Sequence, residues 1–509
     1  MPVNSNNITP HLTLDFIRQP LSLLQRELAV GNFTCKQAVE FFLKRIEEQK
    51  HLNAFLEVFA DEALEKATAL DKKIKSGNAG KLHGLVVGIK DNICYKGHKA
   101  SAASKILKNF TSLYNATAVE RILAEDAIII GRLNCDEFGM GSSNENSAYG
   151  AVLNYLDNTK VAGGSSGGSA AAVQAGLCHA ALGSDTGGSV RMPASFCGIV
   201  GMKPTYGRIS RHGLIAYASS FDQIGTLTNS VEDAALLLEV MAGADNYDST
   251  ASKNENLSFY SAIPLVSDSP LLWRGGGGEA SISEKKYSIA FIKQTLEHPG
   301  LDPEIKSRTE SILDRLKQEG YEIAEVELPL LEYIVPAYYI MTTAEASSNL
   351  SRYDGVRYGH RSALATDVES LYKKSRSEGF GKEVQRRIML GTFVLSAGYQ
   401  DAYYTQAQRV RRMLKEATET IFSRYDFILL PTTPCTAFTL GEKTKNPVEM
   451  YLADIYTVQA NLAGIPSISL PLGKHTNGMP FGVQVMAGRF EEQKMMGFAR
   501  ELTQGMTGW

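Results

Sequence analysis

The chain has 509 residues, 44% hydrophobic and 21% charged, enough to bury a large core. Lys and Arg (52) nearly balance Asp and Glu (55), a formal net charge of -3, so there is no basic surplus to grip phosphates and nucleic acid is not expected as the main direct partner. The opening MPVNSNNITPHLTL lacks a charged stretch followed by an apolar one, and no run approaches the ~18 apolar residues of a membrane span, so a cytoplasmic protein without membrane association is expected.

After a polar start, Pro20–Val30 and Thr34–Gln49 carry helical periodicity, the second opening on the capping-box pair Thr34 and Gln37. Ala60–Lys75 reads as a third helix stopped at Ser76-Gly77. Residues 1–80 are therefore expected as a helical segment packed on a larger domain, 81–509. Leu82–Asn92 predicts a strand, LVVGI, that delivers Lys90 and Asp91 at its C-terminal end. A Lys so placed is ordinarily a solvated edge residue. Thr117–Glu125 reads as a helix leading into the strand AIIIGRLN and a polar loop over 136–150. This alternation predicts an α/β fold: a single large domain whose central mixed β-sheet is flanked by helices.

The stretch Gly163–Lys203 stands apart from its surroundings. It holds two serine-bearing glycine clusters, GGSSGGS (163–169) and DTGGS (185–189), separated by an Ala-rich helical run. Glycine pairs suit sites where backbone turns sharply or approaches a ligand closely, although either cluster alone would pass for a loop. Beyond a turn-rich segment, Lys203–Ser230, a helix is expected over Val231–Ala242. A flexible insertion is expected around 250–286; its RGGGGE run (274–279) lacks the G-x-x-x-x-G-K-[ST] spacing of a phosphate loop. Tyr287–Ile292, Asp302–Glu319 and Tyr321–Val326 read as strand, helix and strand. Tyr338–Tyr358, Lys382–Val394 and Ala397–Arg424 read as largely helical, followed by the strand in DFILLPTTP. Strands at Ser467–Leu472 and Gly482–Met486 and a helix at Glu491–Gln504 complete the chain. The six cysteines (35, 94, 135, 178, 197, 435) form no C-x-x-C pair and none has a His at metal-ligand spacing, which predicts buried free thiols and no metal site.

Three nucleophile patterns can be tried. Ser165 sits in a formal G-x-S-x-G, but the preceding LDNTKVAG is too polar for the strand a nucleophile elbow needs. Ser370-x-x-Lys373 matches S-x-x-K but lies on a charged helix with no K-T-G partner. The third takes Lys90 as base: a buried neutral Lys can activate a Ser hydroxyl. Ser189 would then be the nucleophile, the amides of Thr186, Gly187, Gly188 and Ser189 an oxyanion hole, and Ser165 the proton relay.

GGSSGGSAAAVQAG and ALGSDTGGSVRMPASFCGIVGMKPT resemble the signature of the amidase signature family over nearly the whole chain. That resemblance implies an α/β domain with a mixed sheet and a Ser–cis-Ser–Lys triad, here Ser189, Ser165 and Lys90. The stretches KPTYGRISRHGL, EASSNLSRYDGVRYG, RRIMLGTFVLSAGYQDAYY and MYLADIYTVQANLAGIPSISLP further resemble the branch that supplies glutamine-derived ammonia to tRNA-dependent amidation. It implies Arg387 on a glutamine α-carboxylate, Asp454 on its ammonium and Tyr338 as a substrate contact. Pocket chemistry agrees, since a zwitterion needs a guanidinium and a carboxylate. Taken alone, Arg387 reads as a surface ion pair and Asp454 as a helix N-terminal acid. The branch further implies a heterotrimer with GatB-like and GatC-like partners, with ATP and Mg used at the partner that reads charged tRNA, and no cofactor in this chain. The alternative is a stand-alone amidase for small or peptide amides. Thr226 departs from the family pattern, which carries Pro after Gly225, and a local turn change is expected there.

Overall fold

A computed structural model describes residues 12–253, 258–260, 286–444 and 447–504. The expected insertion around 250–286 lies mostly outside them, its glycine run entirely so. Among the described residues eleven strands form one sheet. In chain order they are β1 (Phe55–Val58), β2 (Val86–Lys90), β3 (Ile128–Leu133), β4 (Ala180–Asp185), β5 (Val200–Lys203) and β6 (Gln223–Thr228). The second half supplies β7 (Ser288–Ile292), β8 (Glu322–Val326), β9 (Phe427–Pro431), β10 (Ser467–Lys474) and β11 (Pro480–Ala487). Their order across the sheet is β1-β3-β2-β4-β6-β5-β10-β11-β9-β7-β8. Parallel pairs (β3-β2-β4 and β9-β7-β8) flank an antiparallel middle, so the sheet is mixed as expected.

Strand periodicity divides the core. Val87, Ile89 and Leu182 join one buried cluster, while Val86 and Ala181 join another on the opposite face. Both faces are covered, so the strands near the centre read as continuous apolar runs rather than alternating ones. The helices Leu21–Ala29, Cys35–Glu48 and Ala60–Lys75 form where expected, and Thr34 with Gln37 closes a capping box. The sequence reading missed β1, a four-residue edge strand between two strongly amphipathic helices, too short to show a period of its own. It also missed β4, β5 and β6, which lie in the stretch read as glycine clusters with a helical run and in the turn-rich segment after it.

Two expectations need correcting. The helix expected from Tyr338 starts earlier and ends earlier, at Leu331–Asn349, and residues 353–358 are irregular. Thr226 is not in a turn: it lies inside β6, opposite Leu182 and Met202. Lys90 has the burial that its reading as a base requires, because β2 runs between β3 and β4 and the side chain is fully buried. The five cysteines at 35, 94, 135, 178 and 197 are buried and Cys435 is partly so, all as free thiols. Among the described residues no helix is long and apolar enough to cross a membrane.

Candidate active site

Because β2 and β4 run parallel with Ile89 beside Leu182, Lys90 and Asp185 emerge at the same edge of the sheet. That edge, outside the carboxyl ends of parallel strands, is where α/β sheets open a crevice. The buried helix Gly167–Gln174 (GGSAAAVQ) packs over it, its small residues allowing close approach to the strands. The peptide bond entering it, Gly164-Ser165, is cis. A Cβ on Gly164 would lie 2.1 Å from Asp136 Oδ2, so only glycine fits against that buried carboxylate.

Lys90 Nζ donates to Ser165 Oγ at 2.7 Å, Ser184 Oγ at 2.8 Å and Ser166 Oγ at 2.9 Å. Every one of these partners is a neutral hydroxyl. Burial therefore dominates and pulls the amine down to about 8, against weaker upward pulls from Cys135, Asp136, Asp185 and Asp222. The three hydroxyls are not equivalent. Ser166 commits its proton to Ser184 O at 3.2 Å, and Ser184 Oγ takes a second bond from Asn92 at 2.9 Å. Ser165 Oγ has Lys90 as its sole hydrogen-bond partner among the described residues, leaving it able to serve another group.

Ser189 follows β4 in the loop before the helix Arg191–Cys197. It is partly exposed where its neighbours are buried, and its Oγ has no hydrogen-bond partner among the described residues. Its carbonyl accepts from Ser166 N at 3.1 Å, tying the two glycine clusters together. Of the four amides expected to hold an oxyanion, one is already engaged: Gly188 N donates to Asp185 Oδ1 at 2.9 Å. The amides of Thr186, Gly187 and Ser189 have no acceptor among the described residues and remain available. Gly188 instead shapes the loop, with φ +132, a backbone conformation side chains resist. Asp185 also accepts from Val190 N at 3.1 Å and from Arg191 Nη2 at 3.1 Å. Arg191 overcomes the cost of burial and holds this carboxyl down at about 2.

Arg387 and Asp454 come together at one tyrosine that the sequence reading did not single out. Tyr339 donates from its hydroxyl to Asp454 Oδ2 at 3.1 Å, and the Arg387 guanidinium stands 5.1 Å from its ring centre. Tyr217 and Tyr451 complete an aromatic box around Arg387, at 5.6 and 5.5 Å. Arg387 is buried on the helix Lys382–Val394, where Nε donates to Glu383 Oε1 and Nη1 to Tyr217 Oη, each at 2.8 Å. Burial works against its charge, but Tyr217 and Glu383 more than offset that and hold it well above its ordinary value. Nη2 makes no hydrogen bond to a described residue.

Asp454 lies in the turn between the helices Pro447–Leu452 and Val458–Ala463, buried rather than at a helix start. Its Oδ2 also accepts from Ser142 Oγ at 2.8 Å, while Oδ1 is unengaged among the described residues. Burial raises this carboxyl to about 7, although both hydrogen bonds pull the other way. Tyr338 packs edge-on against Tyr339 with ring centres 5.0 Å apart, and a Cβ on Gly187 would lie 2.5 Å from its Cζ, so its ring covers the Ser189 loop beside this pair. The four-residue spacing of Glu383 and Arg387 was readable as a helical ion pair, but nothing in the pattern assigned roles to Tyr217, Tyr339 or Ser142.

The Ser370–Lys373 pair is accounted for structurally. Ser370 closes a capping box with Asp367, and Lys373 pairs with Glu369 on an exposed face. No group of three or more His, Cys, Asp or Glu among the described residues could hold a metal ion.

Comparison with known proteins places this geometry. A family model described as Amidase matches residues 37–496. The A subunit of glutamyl-tRNA(Gln) amidotransferase from Chlorobium limicola is 50% identical over 480 residues, covering 94% of this chain and 98% of that protein. The crystal structure of the A subunit of glutamyl-tRNA(Gln) amidotransferase from Thermotoga maritima is 37% identical, with a TM-score of 0.74, covering 98% of this chain and 96% of that one. A bacterial aryl acylamidase of the amidase signature family superposes with a TM-score of 0.81 at 22% identity, covering 97% of each chain. The backbone is thus shared by enzymes of different substrates, and selectivity has to be sought in side chains.

Proposed function

The chain belongs to the Amidase family, and on that premise we propose that it is the glutamine-hydrolysing subunit of a tRNA-dependent amidotransferase. The observation that carries the choice of glutamine is that, among the described residues, Nη2 of Arg387 and Oδ1 of Asp454, on either side of Tyr339, have no hydrogen-bond partner. One is a fixed cation and the other an acceptor, which suits a zwitterion's carboxylate and ammonium. An aryl or lipid amide would offer neither of these two atoms a partner.

In this reading Lys90 in its neutral form accepts the proton of Ser165, and Ser165 accepts that of Ser189. The Ser189 Oγ attacks the side-chain carbonyl carbon of glutamine, with Tyr338 covering the loop. The amides of Thr186, Gly187 and Ser189 receive the oxyanion, a contribution typically worth about 10²–10³ in rate per donor. The relay returns the proton to the departing nitrogen, which leaves as ammonia. Water, activated by the same relay, then cleaves the glutamyl ester and restores Ser189. These steps draw on this chain's own groups, with no cofactor called for. Ammonia passes to a GatB-like partner, where ATP with Mg activates Glu-tRNA(Gln) for amidation, and a GatC-like protein braces the pair. The near-balanced charge of this chain agrees with tRNA being held mainly by the partner.

The test is to purify the complex with Ser189→Ala and measure ammonia release from glutamine. Release is expected to fall on the order of 10⁴-fold, and a glutamine-like electrophile is expected to label wild type but not the variant. Wild-type-like release would overturn the assignment of Ser189. Rapid turnover of unrelated amides by the chain alone, with no preference for glutamine, would favour a stand-alone amidase.

A further inference from the structure

We propose that Thr457 is a positioning residue that sets the register between the ammonium-binding carboxylate and the Ser189 loop; this rests on the glutaminase reading above. Asp454 and Ser189 belong to segments 265 residues apart in sequence, and a substrate gripped at one end reacts at the other only if their spacing is held. Thr457 is fully buried and sits between them. Its Oγ1 lies 2.6 Å from Gly187 O and 3.0 Å from Asp454 O, so one hydroxyl proton is shared between a carbonyl of the nucleophile loop and the carbonyl of Asp454 itself. Its backbone amide donates to the same Asp454 O at 3.0 Å. Its own carbonyl accepts from Arg191 Nη1 at 2.8 Å. That guanidinium grips Asp185, which in turn holds Gly188 N at 2.9 Å.

The loop is therefore clamped from both sides of a single residue. The approach is so close that a Cβ on Gly188 would meet Thr457 Oγ1 at 2.1 Å. The Gly187 carbonyl also belongs to the peptide whose nitrogen is Gly188's, so its orientation sets the plane of the loop whose free amides face the oxyanion. Positional errors of about 1 Å at such a site cost on the order of 10²-fold in rate. A valine methyl cannot approach a carbonyl oxygen to the distance a hydroxyl does, so Thr457→Val pushes the loop from the Asp454 turn.

The experiment compares glutamine with glutaramate, which is glutamine without its α-amino group, using the full chain in its native complex. The ratio of kcat/KM values for the two substrates reads the benefit of gripping the ammonium. Thr457→Val is expected to lower that ratio about 10-fold by reducing kcat on glutamine, and Thr457→Ser to restore it. A valine variant that slows both substrates equally, leaving the ratio unchanged, would show a merely structural residue and overturn the proposal. A wild type that does not distinguish the two substrates would instead overturn the glutaminase reading, and the proposal with it. Should Thr457→Val not fold, Thr457→Cys keeps a donor at this position, weaker and on a larger atom, and the same ratio decides the question.

Discussion

Lys90 and Arg387 are both cations buried within one domain, yet the protein treats them oppositely. Lys90 is surrounded by hydroxyls and brought down to about 8, so it can shed its proton near neutral pH. Arg387 is surrounded by the Glu383 carboxylate and three tyrosine rings and is held well above its ordinary value. Burial is nearly the same for both (0% and 3% exposed), so the partners decide the outcome. A base needs neutral partners that leave desolvation unopposed; a binding cation needs a counter-charge that keeps it ionised.

The sharpest way to break this contrast is Lys90→Met. Ammonia release should fall on the order of 10⁴-fold, while wild-type kcat/KM should rise with pH through about 8 as the amine becomes neutral. The stability consequence has a definite sign. With the folded amine at about 8 and the ordinary value at 10.5, the unfolded chain holds more protons between them. Lys90 therefore contributes roughly 3 kcal/mol more stability as pH rises through that window, a contribution that the methionine variant lacks. Denaturant titrations of the two proteins at pH 7 and 10.5 measure the difference directly; parallel curves would mean that Lys90 is not depressed.

Arg387→Met tests the opposite environment. Here the variant strands Glu383, whose remaining partners are Tyr451 and the more exposed Arg386. Folding stability near neutral pH should drop by about 3 kcal/mol, and KM for glutamine should rise on the order of 100-fold with a smaller change in kcat. A KM that stays put would remove Arg387 from the substrate site. Asp454→Asn sharpens the comparison on the acidic side with a smaller effect. Its carboxyl, raised to about 7, must ionise to pair with an ammonium, so wild-type KM should climb as pH falls through that value. The amide variant should show a KM roughly 30-fold higher and insensitive to pH in this range. Above pH 7 it should be at least as stable as wild type, because the stability linked to a raised carboxyl is lost as pH rises through its folded value.

The same contrast governs what could be read in the amino-acid order. The nucleophile region is compact in sequence: Ser165 and Ser189 lie in one signature, their glycines mark tight backbone, and LVVGI announces the strand carrying Lys90. Seven of the eleven strands and most helices were legible, because long apolar strands and amphipathic helices leave periodic traces, whereas β1, β4, β5 and β6 were hidden by their short length or by small and polar residues. The proposed recognition region is scattered. Tyr217, Tyr339, Arg387 and Asp454 come from four separate segments and meet only around one ring. Taken singly, Arg387 looked like a surface charge and Asp454 like a helix-start acid; family resemblance pointed to them, but no local pattern did. It pointed to Tyr338, whereas Tyr339 is the residue that joins the two.

Sequence alone thus determined which groups are present and which strands and turns carry them. Tertiary structure decided their protonation and their pairing. It turned Lys90 from an edge cation into a buried amine by placing β2 between β3 and β4. It engaged Gly188 N with Asp185 while leaving three nearby amides without an acceptor among the described residues. The physical reason is that solvation and hydrogen-bond satisfaction depend on everything packed around a group, and those neighbours are brought there by the fold rather than by adjacency along the chain.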